Sequence, residues 1–201
     1  MTLNNSSRLQ KTIEAIDIAN SEDPNIEIYD DSEYPRELLY SIRMTNWLDK
    51  LDPNASEELR IATRAQHIQR WKIPRDKYPI DREGYKKWRK VLMELHAEKA
   101  GQIMVEHGYG EESISRVKSL IKKEKFKTDH ESQLLEDVVC LVFLENYFSD
   151  FSKEHIDDKD KMNRIIKKTW NKMSEKGRAI ALELKIQDDA RALILEALHN
   201  N

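Results

Sequence analysis

The sequence predicts an all-α protein, a single-domain multi-helix bundle of about eight or nine helices over residues 1–201. Apolar residues recur at three- and four-residue spacing almost throughout, the pattern of a helix with one face turned to a core. Only five glycines and five prolines interrupt it, and no segment alternates as a strand does.

Ser6 or Ser7 is placed to cap a first helix running to about Asn20, where SEDPN turns the chain. A second helix starts at Pro35, suited to a first turn, and reaches about Leu51. DPNAS resets the chain, and Asn54 or Ser56 opens a third helix that Pro74 stops near Lys72. After the loop IPRDKYPI, Asp81 caps a long fourth helix, ended near His107 by Gly108 and Gly110. A fifth covers Glu111 to Lys123. Beyond the charged connector KKEKFKTDHE, a sixth extends to about Ser152. KEHIDDKDK is a solvated charge run, and helices over 158–172, 174–184 and 188–198 complete the chain.

Composition bounds the function. Charged residues are 35% of the chain and mean hydropathy is -0.78, so no membrane partner is expected. With 34 basic and 37 acidic side chains the net charge is -3, and no general nucleic-acid binding is expected. The single cysteine, Cys140, lies in an apolar run and reads as a small hydrophobe, consistent with a cytoplasmic protein.

That run, LLEDVVCLVFLENYF at 134–148, has eleven apolar or aromatic side chains in fifteen, yet places Glu136 beside Asp137. Helical spacing puts Asp137 on the stripe of Leu134, Leu141, Leu144 and Phe148, and Glu136 with Cys140, Phe143 and Tyr147. A helix apolar nearly all round is expected at the centre of a bundle. A carboxylate buried there requires a proton, a cation, hydrogen-bond donors or a metal.

Candidate partners lie on two other helices. His96 shares a stripe with Tyr85, Leu92, Lys99 and Ile103. His67 sits in RIATRAQHIQRWKIPR, the densest arginine segment, beside Arg64 and Arg70, with Trp71 and Arg75 following. Two histidines, an acidic pair and arginines form an inventory for a divalent metal beside a phosphate-binding surface. A His–Asp hydrogen bond between core helices, or an ion pair from Arg64 or Arg70 to Glu136, satisfies the same groups as structure alone. The other histidines, His107, His130, His155 and His199, fall near helix ends or in charged segments.

The order His67, His96, Asp137 on successive helices resembles the HD-type metal-dependent phosphohydrolases. That resemblance implies an HD-like helical fold, divalent metal held by histidines and aspartate, and cleavage of phosphoesters or nucleotide pyrophosphate linkages. The position after His96, where the His-Asp pair of that superfamily has its carboxylate, holds Ala97. Glu98 lies about 200° around an ideal helix from His96. Across nearly the whole chain, QHIQRWKIPRDKYP, YKKWRKVLMELHAEKAG and LEDVVCLVFLENYF resemble an uncharacterised domain family of bacteria and fungi. Some fungal members carry a glutamyl-tRNA synthetase label, which KMSEK at 172–176 superficially echoes. The chain has neither the alternating strands and helices nor the length of such an enzyme, and KMSEKG reads as a helix end with Ser174 capping the next.

The expected function is a metal-dependent phosphohydrolase acting on a phosphorylated small molecule, a nucleotide among the candidates. His67, His96, Asp137 and Glu136 are the expected ligands of a divalent ion (Mn, Co, Fe, Zn or Mg), with Glu136 and Asp137 as catalytic carboxylates. Arg64, Arg70, Arg75 and Trp71 are expected to bind substrate, and Lys122 and Lys123 add charge if the fifth helix covers the cleft. The alternative is a non-catalytic helical module that binds a nucleotide, RNA or protein through the arginine and tryptophan surface of residues 60–89.

Overall fold

The computed structural model describes residues 3–155 and 158–199, with side chains from Arg8 onward. It is predominantly α-helical, and the chain falls into two compact units, residues 1–125 and 126–201.

The first unit holds α1 (Leu3–Ser21), a hairpin of β1 (Ile26–Tyr29) and β2 (Ser32–Pro35), then α2 (Arg36–Leu51), α3 (Glu57–Arg64), α4 (Arg82–Glu106) and α5 (Glu111–Lys122). Ser6 and Ser7 fall within α1 rather than before it, and their side chains, with the cap expected of them, lie outside those described. The other expected caps form: Ser56 accepts the Leu59 N–H and Asp81 the Gly84 N–H. Ile16, Met44, Leu48, Leu59, Ile61, Ile68, Met104, Leu120 and Ile121 are fully buried, the apolar stripes of five helices meeting in one core.

The hairpin corrects the expectation of no strand. Its strands pair antiparallel with Tyr29 opposite Ser32, leaving Asp30 and Asp31 as a two-residue turn at φ 51° and 56°. Left-handed backbone at both positions matches the right-handed twist of the strands, and aspartate tolerates it better than most residues. Four residues per strand, mostly exposed, leave too little alternation to read. Buried Asp23 anchors the hairpin to α2: one oxygen accepts the Asn25 N–H at 2.9 Å, the other the Glu37 N–H at 3.0 Å.

A second correction concerns the third helix, which stops at Arg64 rather than near Lys72. Residues 65–69 form turns ending at Gln69, which is left-handed at φ 54° and donates its N–H to the Asn20 side chain at 3.0 Å. A short 3-10 turn, Arg70–Lys72, follows. Pro74 acts on that turn, whereas the α-helix has already ended at the contact with α1.

The second unit contains α6 (His130–Asn146), α7 (Phe148–Glu154), α8 (Lys159–Lys172), α9 (Glu175–Glu183) and α10 (Asp188–His199). The sixth helix was expected to run unbroken to about Ser152, but Tyr147 departs from helical dihedrals and separates α6 from α7. Burial runs along α6 from Leu134 to Val138 and from Cys140 to Val142, so side chains all round it are covered, as its composition predicts. It packs against α7, α8 and α9, while α10 packs on α7 and α8.

Asp137 organises the start of α9. Its Oδ1 accepts the Ser174 N–H at 2.8 Å and the Gln133 side-chain amide at 3.1 Å, and Oδ2 accepts the Ser174 hydroxyl. Ser174 caps α9 by accepting the Gly177 N–H at 3.0 Å. A Cβ on Gly177 would lie 2.8 Å from the Asp137 carboxyl carbon, so only glycine admits this approach. Asp137→Ala removes a buried acceptor and is expected to cost about 1–3 kcal/mol. Gly177→Ala is expected to lower Tm through the same contact, and thermal melts of Asp137→Ala, Gly177→Ala and the double variant should be less than additive.

Candidate active site

In the first unit two histidines, a carboxylate and a set of cations converge where α2, α4 and the turn after α3 meet. Pro35 starts α2 with the fixed φ of a helix entry, and Glu37 follows in the first turn. Its side chain is 10% exposed and points along the face that continues as Tyr40, Met44 and Leu48. His67 sits in the turn that replaces the end of the expected third helix. Its ring stacks on Tyr40, centroids 4.1 Å apart and planes 11° from parallel. From α4, His96 brings its ring within 5.9 Å of the His67 ring.

Hydrogen-bond chemistry fixes the tautomer of His96. His96 Nδ1 lies 2.8 Å from the Ile68 carbonyl, which only accepts, so Nδ1 carries the proton and Nε2 presents a lone pair. That Nε2 is buried and has no hydrogen-bond partner among the described residues. One Arg70 guanidinium nitrogen lies 2.9 Å from His67 Nε2 and 3.3 Å from its Nδ1, and that Nδ1 faces Glu37 Oε2 at 3.3 Å. Arg70 also approaches Glu37 Oε1, at 3.9 Å, and lies over the Trp88 ring at 4.9 Å.

Burial is the first cause of the electrostatics. It pushes the His96 imidazole down to about 3, helped by the neighbouring His67 and by Arg70, against the raising effects of the Ile68 carbonyl and Glu37. His67 is held well below its usual range by burial and then by Arg70, Lys123, Arg89 and Arg36. Both rings are therefore neutral at physiological pH. Glu37 moves the other way: desolvation raises its carboxyl, and Arg70, Arg36 and His96 only partly offset it.

The predicted residues divide between the units. His67, His96 and Arg70 come together in the first. Arg64 is also there, but forms a paired contact with Asp17 at 2.6 and 2.7 Å and a bond to the Thr45 hydroxyl. Arg75 donates to the Tyr78 and Pro79 carbonyls, fixing its own loop, and Trp88 rather than Trp71 lies beneath Arg70. Lys122 pairs with Glu94 at 2.6 Å. Glu136 and Asp137 belong to the second unit, where Glu136 pairs with Lys172 at 2.6 Å and Asp137 serves α9.

Sequence reasoning passed over Glu37 and Tyr40, although Glu37 carried the signal applied to Asp137: an acid on the apolar stripe of Tyr40, Met44 and Leu48. Among the described residues no group of three or more His, Cys, Asp or Glu side chains is assembled to hold a metal ion. Two neutral imidazoles, one with an unshared buried lone pair and a backbone carbonyl fixing its other nitrogen, are nonetheless chemistry that a divalent ion accepts.

Neutral buried imidazoles make stability depend on pH with a definite sign. The unfolded chain binds protons near pH 6.5 that folded His96 refuses until about 3, so stability falls as pH drops between those limits. From pH 6.5 to 5 His96 alone contributes a loss of up to about 2 kcal/mol. His96→Asn, which keeps a donor for the Ile68 carbonyl, is expected to shrink the shift in urea midpoint between pH 7.5 and 5.

No curated protein and no solved structure matches the chain. The family profile of DUF4202, described as a domain of unknown function, matches residues 10–194, which take in both units. A match over nearly the full length settles membership: the chain belongs to the DUF4202 family.

Proposed function

We propose that this protein is a phosphohydrolase for a phosphorylated small molecule, with its reaction centred on Glu37, His67 and His96. The observation that carries this reading is the buried, unpartnered Nε2 lone pair of His96. An unshared acceptor of this kind costs stability unless something binds there.

The surrounding charge selects an anion. Arg36, Arg70, Arg89 and Lys123 all act on His67, and the forked donors of Arg70 suit phosphoryl oxygens. Tyr85, exposed and 5.9 Å from the Trp88 ring, gives a nucleotide base an aromatic neighbour. His67 is 22% exposed, so the cluster opens to solvent at that ring.

Glu37 is the group suited to take the proton of an attacking water. Desolvation raises its affinity for a proton, which is what a general base requires, and His67 Nδ1 stands 3.3 Å from its Oε2. As the water oxygen bonds to phosphorus and the leaving oxygen departs, Arg70 faces the charge gathering on the phosphoryl group. A divalent ion, where one is bound, would take the His96 Nε2 lone pair, polarise a phosphoryl oxygen and acidify a bound water. The cations around the rings favour its arrival together with the phosphate that it accompanies.

A purely binding role for the 60–89 surface is less well supported, because Arg64 and Arg75 already have partners within the fold. No described helix is long and apolar enough to cross a membrane.

Metal content by mass spectrometry and a screen of nucleotides and sugar phosphates with Mn²⁺, Co²⁺ or Mg²⁺ test the reading. Metal is expected in the wild type and at least tenfold less in His96→Ala. An equal content in both removes the metal, and hydrolysis of nothing in the panel removes the hydrolase. Glu37→Gln is expected to lower kcat by about 10²–10⁴ with little change in KM. A variant as active as the wild type excludes Glu37 as the base.

A further inference from the structure

We propose that the second unit carries a separate docking groove for single-stranded nucleic acid along α8. The helix reads KDKMNRIIKKTWNK, six basic residues to one acidic, in a chain whose net charge is -3. Arg164, Lys168 and Lys172 follow one another at four-residue spacing; Lys172 is paired with Glu136, which leaves Arg164 and Lys168 as like charges facing each other along one side. Such a pair destabilises an isolated helix. An anion laid along the ridge reverses that cost.

This ridge borders an open hollow of about 740 Å³, lined also by Phe126, Lys127, Asn163 and Asn171. A second hollow of about 280 Å³, with Trp170 in its wall, shares Lys167 and Asn171 with the first. The first alone is larger than one phosphate requires, and both lie beside a helix about 21 Å long.

The lining chemistry selects the occupant. Arg8, Arg43, Arg60 and Arg64 each hold a carboxylate, whereas Arg164 and Lys168 are exposed and have no anionic partner among the described residues. Half-buried Phe126 and Trp170 offer ring faces, and the two asparagines offer donors and acceptors to base edges. Cations that track a backbone beside aromatic rings that stack on bases constitute a single-strand site. A duplex keeps its base faces internal and leaves the rings unused.

The test is fluorescence anisotropy of the full chain with a labelled twelve-residue oligouridylate, in EDTA and with Glu37→Gln alongside, so that the result is independent of hydrolysis. With about four phosphates engaged, log K is expected to fall with log salt at a slope near -3. Arg164→Glu/Lys168→Glu should weaken binding at least tenfold and reduce the slope by about 1.4, and Arg164→Gln/Lys168→Gln should do so to a smaller degree. Lys11→Glu/Lys185→Glu, at two exposed lysines outside the groove, should leave binding within twofold. Trp170→Leu should cost at least fivefold at unchanged slope. Far-UV circular dichroism checks that each variant is folded. Unchanged binding in both α8 double variants overturns the proposal, as does equal competition by polyglutamate or phosphatidylserine vesicles.

Discussion

The contact between Asn20 and the Gln69 N–H is the constraint on which the candidate site depends. Without a side chain from α1 to receive that N–H, the segment after Arg64 has every local reason to remain helical: RAQHIQRWK has no glycine or proline. Held in the left-handed region, Gln69 keeps the turns after Arg64 from resuming an α-helix and leaves the Ile68 carbonyl outside any intrahelical bond. That carbonyl then receives His96 Nδ1–H, and the same turn lays His67 across Tyr40. One tertiary hydrogen bond therefore fixes a backbone turn, a tautomer and a ring orientation.

Neutrality of the imidazoles follows from that placement rather than from either residue alone. His96 is buried against a carbonyl that favours its charged form, yet desolvation and the neighbouring ring outweigh it. His67 adds four cations to the same balance. A proton on either ring would be repelled by the groups that attract a phosphate, so the site keeps its lone pairs while remaining positive overall. This is also why a low-affinity base is unsuited to His96: a group that protonates only near 3 accepts a proton weakly, whereas Glu37 has been moved toward the useful range.

Helix periodicity made the all-α class legible, together with the caps at Ser56, Asp81 and Ser174, because these signals are local. The hairpin, the early end of α3 and the break at Tyr147 were not, since each is decided by contacts or dihedrals that residue types tolerate without demanding. In the site, His67, His96 and Arg70 were legible as an inward histidine pair beside an arginine-rich segment. Glu37 was equally legible by its stripe and was obscured by the denser apolar surroundings of Glu136 and Asp137. Arg64 and Arg75 show the limit of reading arginine density as phosphate affinity: a guanidinium has five donors, and the fold itself can use them.

Four carboxylates are buried among the described residues, and their partners separate architecture from chemistry. Asp23 receives backbone N–H groups at both oxygens. Asp137 receives an N–H, a hydroxyl and an amide at the start of a helix. Glu136 has a lysine at 2.6 Å. Glu37 has its nearest cationic nitrogen at 3.9 Å and an imidazole at 3.3 Å, contacts too long to repay its desolvation. The two acids in the most apolar helix are thus provided with close donors, while the one in an ordinary amphipathic helix is left short of them. An unrepaid desolvation penalty raises proton affinity, and a group in that condition beside an unshared imidazole lone pair is poised to act on a ligand rather than to hold the fold together.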